Sequence, residues 1–94
     1  MKKVYYSPNF DPVADAKAIE YASKLLTEDE LFTSNSLVTI AVRVLIKQGL
    51  LNYKEVEFHY KGQVMTVNED GSQDYWVDGY CDEVDKFYKI LFSV

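Results

Sequence analysis

The stretch Ser34–Leu50 reads SNSLVTIAVRVLIKQGL, and the rest of the chain is organised around it. It begins with three consecutive residues that favour the N-cap of a helix. It ends at Gly49, where a helix commonly terminates in a left-handed residue, and Leu50 then follows within reach of Leu45. Its β-branched residues also permit a strand, but the caps and the length of the segment favour a helix.

The apolar residues of this helix surround it instead of forming one stripe. One face carries Leu37, Ile40, Ala41, Val44 and Leu45. A second set, Val38, Val42 and Ile46, covers much of the remaining surface. A helix of this kind needs cover from several directions. If the small chain cannot supply that cover, an apolar patch remains, and we expect a homodimer or a heteromeric partner.

Length and composition predict one small domain, residues 1–94, in a chain that is 48% hydrophobic. The net charge of −5 argues against direct nucleic-acid binding, which needs a basic surface, but permits a basic protein partner. The central helix is too short and too charged to span a membrane. Cys81 is the single cysteine, and the start, MKKVYY, holds too short an apolar run for a signal peptide. We therefore expect a cytoplasmic protein without disulfide bonds.

The pattern around the central helix predicts an α/β fold. Lys3–Tyr6 and Leu31–Thr33 are short strand candidates, and Asp11-Pro12 opens a first helix between them, with Asp11 as its N-cap. After Gly49, apolar and polar residues alternate over residues 55–60, and residues 64–67 return after a Lys-Gly turn, which predicts an antiparallel hairpin.

Two further elements are predicted near the C-terminus. Tyr75–Val77 is a short strand or an extended arm, and Asp82–Phe92 is an amphipathic helix. The predicted fold is thus a small single α/β domain with short N-terminal strands and two helices, then an antiparallel hairpin and a C-terminal helix.

Several short motifs stand in an order that resembles a known family. They are TSNS (33–36), LIKQGL (45–50), EVEFHY (55–60), NEDG (68–71) and WVDGYCD (76–82). Over Phe32–Glu83 the chain resembles the C-terminal part of ABC-type AAA ATPases of the OLD-like group, which is common in bacterial defence and toxin–antitoxin loci. VYYSPN (4–9) with the helix after it resembles, more loosely, the Walker B strand, its Asn-Pro-Glu and the following helix.

The departures from that family concern its catalytic groups. The phosphate-binding loop Gly-x-x-x-x-Gly-Lys-Ser/Thr does not occur in the sequence. Asn9 stands where the family has its catalytic Glu, and Asn35 stands where it has its switch His. The resemblance therefore implies a catalytically empty relative that holds no ATP and no other cofactor.

Other candidates for chemistry have ordinary explanations. His59 falls on the polar side of a strand, where we expect it to be solvated, without the partner and cleft that a general base needs. Cys81 is followed by acidic residues, which raise the pKa of a thiol. Asp70, Asp74 and Asp78 do not have the alternate spacing of a calcium loop, so we expect no metal site.

The segment Asn68–Asp85, named here the acidic–aromatic segment, is the candidate binding site. It contains no Lys or Arg. The candidate partner-binding residues are Glu69, Asp70, Asp74, Tyr75, Trp76, Asp78, Tyr80, Asp82, Glu83 and Asp85. Aromatic anchors among acidic residues are typical of a docking surface for a basic partner. The alternative is that turns and a helix N-terminus are acidic here, as they commonly are, and that the aromatic side chains belong to the core.

Three functions remain open at this stage. Two are non-catalytic, and the third, which ranks last, is a small enzyme of unknown chemistry. The first is a protein-binding inhibitor or regulator, phage- or mobile-element-encoded, which engages or mimics an ABC-type ATPase of a bacterial defence system. The second is an acidic DNA mimic that blocks a nucleic-acid-binding enzyme. Binding by a DNA mimic weakens steeply with ionic strength and competes with DNA, whereas shape-based mimicry of an ATPase does neither.

Overall fold

A four-stranded sheet and two helices form the part of the chain that the computed structural model describes, residues 1–73. The strands are β1 (Lys2–Tyr6), β2 (Glu30–Thr33), β3 (Val56–Tyr60) and β4 (Gln63–Met65). The helices are α1 (Ala18–Ala22) and α2 (Ser36–Lys47), with 3₁₀ turns at Asp15–Lys17, Ser23–Leu26 and Tyr53–Glu55. The predicted α/β class is confirmed. The strand predicted at Tyr75–Val77 and the helix predicted at Asp82–Phe92 lie outside the described residues.

The strands are arranged in the order β2-β1-β3-β4. β1 is parallel to both β2 and β3, and β4 is antiparallel to β3. Val4 lies opposite Leu31 on one side and Phe58 on the other, and Phe58 lies opposite Met65. All four side chains are buried and form the core face of the sheet. Because side chains alternate along a strand, the residues between them point to the opposite face.

The β3–β4 hairpin confirms the predicted turn. Lys61 and Gly62 both have positive φ, 51° and 75°, as a two-residue turn between strands of right-handed twist requires. Val56, Phe58 and Tyr60 are buried and alternate with partly exposed residues, as the sequence pattern predicts.

Both caps of α2 are confirmed. The Asn35 side chain accepts a hydrogen bond from the backbone N–H of Leu37 at 2.9 Å. At the other end Gly49 has a φ of 78°, its N–H donates to the Ile46 carbonyl, and the Leu50 N–H donates to the Leu45 carbonyl, both at 3.0 Å. These two bonds are those of a Schellman motif, which satisfies the last carbonyls of the helix.

The expectation that α2 lacks cover is wrong. Val38, Val42 and Ile46 are 0%, 0% and 3% exposed within the single chain. They pack in one core cluster with Ala22 of α1 and with the core face of the sheet. The large apolar side chain of α2 that is exposed is Val44, at 42%. Self-association therefore cannot be inferred from this helix.

The first helix begins later than the Asp11-Pro12 pattern predicts. Helical structure starts at the turn Asp15–Lys17, and Ala14 before it is extended, with φ −63° and ψ 142°. The reason is tertiary. The Asn35 side chain donates to the Val13 carbonyl at 2.8 Å, and this bond helps to hold the segment before the turn in a non-helical conformation.

Candidate functional site

The carboxyl ends of β1 and β2 lie side by side, because the Ser7 N–H donates to the Thr33 carbonyl at 3.0 Å. In open α/β sheets, ligands bind outside this end of the strands. Asn9 and Asn35 follow these two strands in the sequence.

The Asn35 side chain makes three hydrogen bonds that hold the fold together. Its Oδ1 accepts from Leu37 at the start of α2, and its Nδ2 donates both to the Val13 carbonyl and to Oδ1 of Asp15, the latter at 2.7 Å. One side chain thus joins the N-terminus of α2 to the loop that precedes α1. Three hydrogen bonds use both N–H groups and one lone pair of the oxygen, which leaves little capacity for a ligand.

Asn9 is exposed, and its backbone N–H donates to Oγ of Ser7 at 3.3 Å. A carboxamide neither gives nor takes a proton near neutral pH, so neither Asn9 nor Asn35 can act as a general base toward an attacking water. Within residues 1–73, Asn9 and Asn35 therefore serve as turn and cap residues at this edge of the sheet.

The acidic–aromatic segment is described only at its start. Glu69 and Asp70 are exposed and lie in the turn after β4. The other eight candidate residues lie outside the described part: Asp74, Tyr75, Trp76, Asp78, Tyr80, Asp82, Glu83 and Asp85.

The turn at Asn68–Ser72 is closed by its own hydrogen bonds. The Asn68 N–H donates to the Ser72 carbonyl at 2.8 Å, and the Gly71 N–H donates to the Asn68 carbonyl at 2.9 Å. The Asp70 carboxylate accepts from both the hydroxyl and the backbone N–H of Ser72. These two bonds, the hydroxyl one first, hold the pKa of Asp70 below the 3.8 of an ordinary aspartate. Asp70 therefore shapes the turn as well as adding charge to its surface.

This turn is docked on α2 through Gly71. Nε of Arg43 donates to the Gly71 carbonyl at 2.7 Å, and Gly71 is buried. Its φ is 83°, and a Cβ at this position would lie 2.5 Å from the Arg43 carbonyl oxygen. Only glycine allows the backbone to approach α2 this closely, so the acidic–aromatic segment begins at a point fixed to the central helix.

His59 is not the solvated residue that the strand pattern predicts. Its side chain is 20% exposed, its ring lies 4.8 Å from that of Tyr5, and its Nε2 lies 3.5 Å from a carboxylate oxygen of Glu57. Nε2 is buried and makes no hydrogen bond. The parallel pairing of β1 with β3 brings Tyr5 beside His59, and that pairing is not visible in the pattern of β3 alone.

A row of side chains crosses the face of the sheet opposite the core, and the sequence pattern did not single it out. This open-face row consists of Phe32, Tyr5, His59 and Val64, one from each strand in register. The Phe32 and Tyr5 rings stack at 4.8 Å with planes 9° apart, and Phe10 packs edge-on against Phe32 at 5.4 Å. Tyr5 and Phe32 each alternate with a buried residue of their strand. This alternation is the sequence signal that could have placed both of them on the face opposite the core.

An open depression of about 440 Å³ lies at the outer edge of β2. It is lined by Tyr21 and Lys24 on one side and by residues 28–32 on the other. The Tyr21 hydroxyl donates to the Phe32 carbonyl at 2.7 Å and so occupies one of the outward-facing backbone groups of this edge strand. Among the described residues that line the depression, none is a nucleophile paired with a base.

Residues 1–73 contain no group of three or more His, Cys, Asp or Glu side chains placed to hold a metal ion. Among the same residues, no helix has the length and apolar character needed to cross a membrane. Comparison of the chain with protein-family models, with curated proteins and with solved structures finds no match in any of the three.

Proposed function

We propose that this protein is a non-catalytic, protein-binding regulator that works in the cytoplasm. The observation that carries the proposal is the role of Asn35. Its carboxamide stands at the sheet edge where α/β proteins bind ligands, yet three hydrogen bonds commit it to the fold. A domain that uses this position for structure, and that has no Gly-x-x-x-x-Gly-Lys-Ser/Thr loop in its sequence, does not carry the phosphate-binding groups of a P-loop ATPase.

The partner that we propose is an ABC-type ATPase of a bacterial defence system, which the protein engages or mimics. The gene for the protein would then belong to a phage or another mobile element. Two features support this choice. The motif order over Phe32–Glu83 resembles the C-terminal part of such ATPases. In addition, the two positions that depart from the catalytic pattern, Asn9 and Asn35, follow neighbouring parallel strands, so both departures fall at one edge of the sheet.

The acidic–aromatic segment is the proposed contact surface for that partner. Glu69 and Asp70 are exposed, and Gly71 fixes the turn to α2. A segment that starts from a rigid point loses less conformational freedom on binding than one that starts from a free loop. We expect Trp76 to be the anchor, because buried aromatic side chains contribute more to binding than single charges at a rim, which water and salt screen.

Capture of partners from a host lysate on the immobilised full-length protein tests this function. The proposal expects an ABC-type ATPase that is retained by the wild type, lost with Trp76→Ala and kept with Glu69→Ala. Circular dichroism of each variant provides the folding control. Inhibition of a defence ATPase by the wild-type protein at physiological salt would be the functional counterpart of this capture. Capture of a nucleic-acid-binding enzyme, released by DNA and by moderate salt, would instead favour the acidic DNA mimic.

Isothermal titration with Mg-ATP tests the non-catalytic half of the proposal separately. No heat of binding is expected up to millimolar nucleotide, because no loop cradles the phosphates. Tight binding of ATP by the wild type would contradict the proposal whatever the lysate yields.

A further inference from the structure

The outer side of β2 carries backbone groups that do not face another strand of residues 1–73. The Thr33 carbonyl accepts from the Ser7 N–H, so the backbone of Thr33 faces β1. Alternate residues of a strand face the same neighbour, and the backbone groups of Glu30 and Phe32 therefore face away from the sheet. The Tyr21 hydroxyl confirms this direction, because it reaches the Phe32 carbonyl from the outer side at 2.7 Å.

Most of these outward groups are unpaired within the described part of the chain. The Tyr21 hydroxyl occupies one lone pair of the Phe32 carbonyl. In residues 1–73, no other group bonds to the N–H or the carbonyl of Glu30 or to the N–H of Phe32. Both residues are exposed. An edge strand in this state is a template on which a further strand can pair.

The depression of about 440 Å³ lies beside the same groups. Residues 28–32 form its near side, and Tyr21 and Lys24 form its far side. Nζ of Lys24 lies 4.7 Å from the centre of the Tyr21 ring, so the far side presents an aromatic ring and an aliphatic stem. A strand paired with β2 at the usual spacing of about 4.8 Å would enter this space.

The near side of the depression is acidic. Glu28, Asp29 and Glu30 are consecutive and exposed. The ion pairs printed by the geometry of residues 1–73 join Lys17 to Glu20 and His59 to Glu57, so the three acidic side chains are not neutralised there. Against them stands the single charge of Lys24. The balance favours a basic ligand and repels an acidic one.

We propose that this place, named here the β2 slot and lined by Tyr21, Lys24 and residues 28–32, binds an extended basic segment of a partner protein as an added strand. Main-chain hydrogen bonds to Glu30 and Phe32 supply the affinity, and alternate side chains supply the specificity. Side chains on one side of the segment lie beside Glu30, and those between them enter the depression against Tyr21. The bound segment therefore alternates Lys or Arg with an apolar residue. The β2 slot is distinct from the acidic–aromatic segment, which begins after β4, the other edge strand.

Residues 74–94 and a second copy of the chain are the competing occupants. The described chain ends at the other edge of the sheet, because Nε2 of Gln73 donates to the Thr66 carbonyl just after β4. A second copy that paired through its own β2 would bring three more acidic side chains to the β2 slot, which disfavours it. A basic segment from another protein meets neither difficulty.

Titration of the ¹⁵N-labelled full chain with the acetylated and amidated peptide Lys-Val-Lys-Val-Lys tests the site by NMR. A short strand covers less than a standard interface, so a dissociation constant on the order of 100 μM is expected. The amide signals of Glu30 and Phe32 should shift, and their exchange with solvent should slow as the peptide saturates. Shifts confined to residues 68–94 would overturn the proposal. Amides of Glu30 and Phe32 that are protected without peptide would also overturn it, in favour of residues 74–94, or of a second copy if the protection rises with protein concentration.

Methylation of the peptide backbone tests strand pairing. One variant of the peptide carries N-methyl groups on its two valines, and the other carries them on its second and third lysines. Alternate residues of a strand face its neighbour, so only one of these sets can bond to β2. That variant should bind about tenfold more weakly than the other, because its hydrogen bonds are lost. Equal affinities would refute strand addition, since the two variants have the same charge and composition.

Charge substitution tests the recognition of a basic segment. Glu30→Lys should weaken binding of Lys-Val-Lys-Val-Lys about tenfold, and Glu30→Gln should weaken it several-fold. Glu55→Lys is the matched control, because Glu55 is exposed in the turn before β3 and does not line the β2 slot. Circular dichroism establishes that each variant is folded. Equal weakening by Glu30→Lys and Glu55→Lys would show that net charge alone attracts the peptide, and would overturn the proposal.

Discussion

Gly71→Ala is expected to be the most destabilising glycine substitution in residues 1–73. A left-handed backbone costs a residue with a Cβ roughly 1–2 kcal/mol. At Gly71 the new methyl would also lie 2.5 Å from the backbone oxygen of Arg43, which cannot move without disturbing α2. The turn must then shift, which strains the packing by roughly 1–3 kcal/mol. A loss of about 3 kcal/mol in the free energy of unfolding follows, and it includes weakening of the Arg43–Gly71 hydrogen bond.

Gly62→Ala is the matched control. Gly62 has nearly the same φ, 75°, but no atom lies within 4 Å of the position that a Cβ would take. Its cost should therefore be the conformational one alone, about 1 kcal/mol. Thermal unfolding followed by circular dichroism separates the two, since about 1 kcal/mol shifts the midpoint of a domain of this size by roughly 4–8 °C. If Gly71→Ala lowers the midpoint no more than Gly62→Ala does, the turn is not docked on α2, and the anchored start proposed for the acidic–aromatic segment is lost with it.

Further predictions concern the polar side chains of the same structure. Asn35→Ala should lower the free energy of unfolding, measured by urea unfolding, by about 2 kcal/mol, because it removes the α2 cap and two further hydrogen bonds at once. Asn52→Ala removes one cap bond from a 3₁₀ turn and should cost about 1 kcal/mol or less. Equal costs for the two variants would argue against the bridging role of Asn35. Asp70→Asn should destabilise the protein near neutral pH and lose its effect in acid. The folded pKa of Asp70 is depressed, so its contribution is present above about 3.8 and disappears as the pH falls through the lower folded pKa. A difference between variant and wild type that does not shrink as the pH is lowered would contradict this. Tyr21→Phe should cost about 1 kcal/mol in the same urea assay, because it removes the hydroxyl that bonds the Phe32 carbonyl at the edge of β2.

The elements whose signals are local could be predicted from the sequence. The caps of α2 depend on residues within one turn of each helix end, and the hairpin depends on a two-residue turn and on alternation over β3. Such signals span a few residues, so the sequence contains them in full. The same holds for the turn at residues 68–71, whose closing bond joins Gly71 to Asn68.

Predictions failed where distant residues decide the conformation. Asp11-Pro12 has the composition of a helix start, but Asn35, more than twenty residues away in sequence, binds the Val13 carbonyl and the helix begins at Asp15. His59 reads as a solvated strand residue until the parallel pairing with β1 places Tyr5 beside it. In both cases the deciding interaction joins residues that only the folded sheet brings together.

The sequence by itself determined the α/β class, the central helix with its caps, the hairpin, and the lack of a phosphate-binding loop. The tertiary structure decided that Val38, Val42 and Ile46 are covered within one chain, that Asn35 is a structural bridge, and that the open-face row crosses all four strands. The physical reason is the same in each case. Caps and turns are stabilised by neighbours along the chain, whereas burial, long-range hydrogen bonds and the composition of a sheet face depend on which strands pair and in what register.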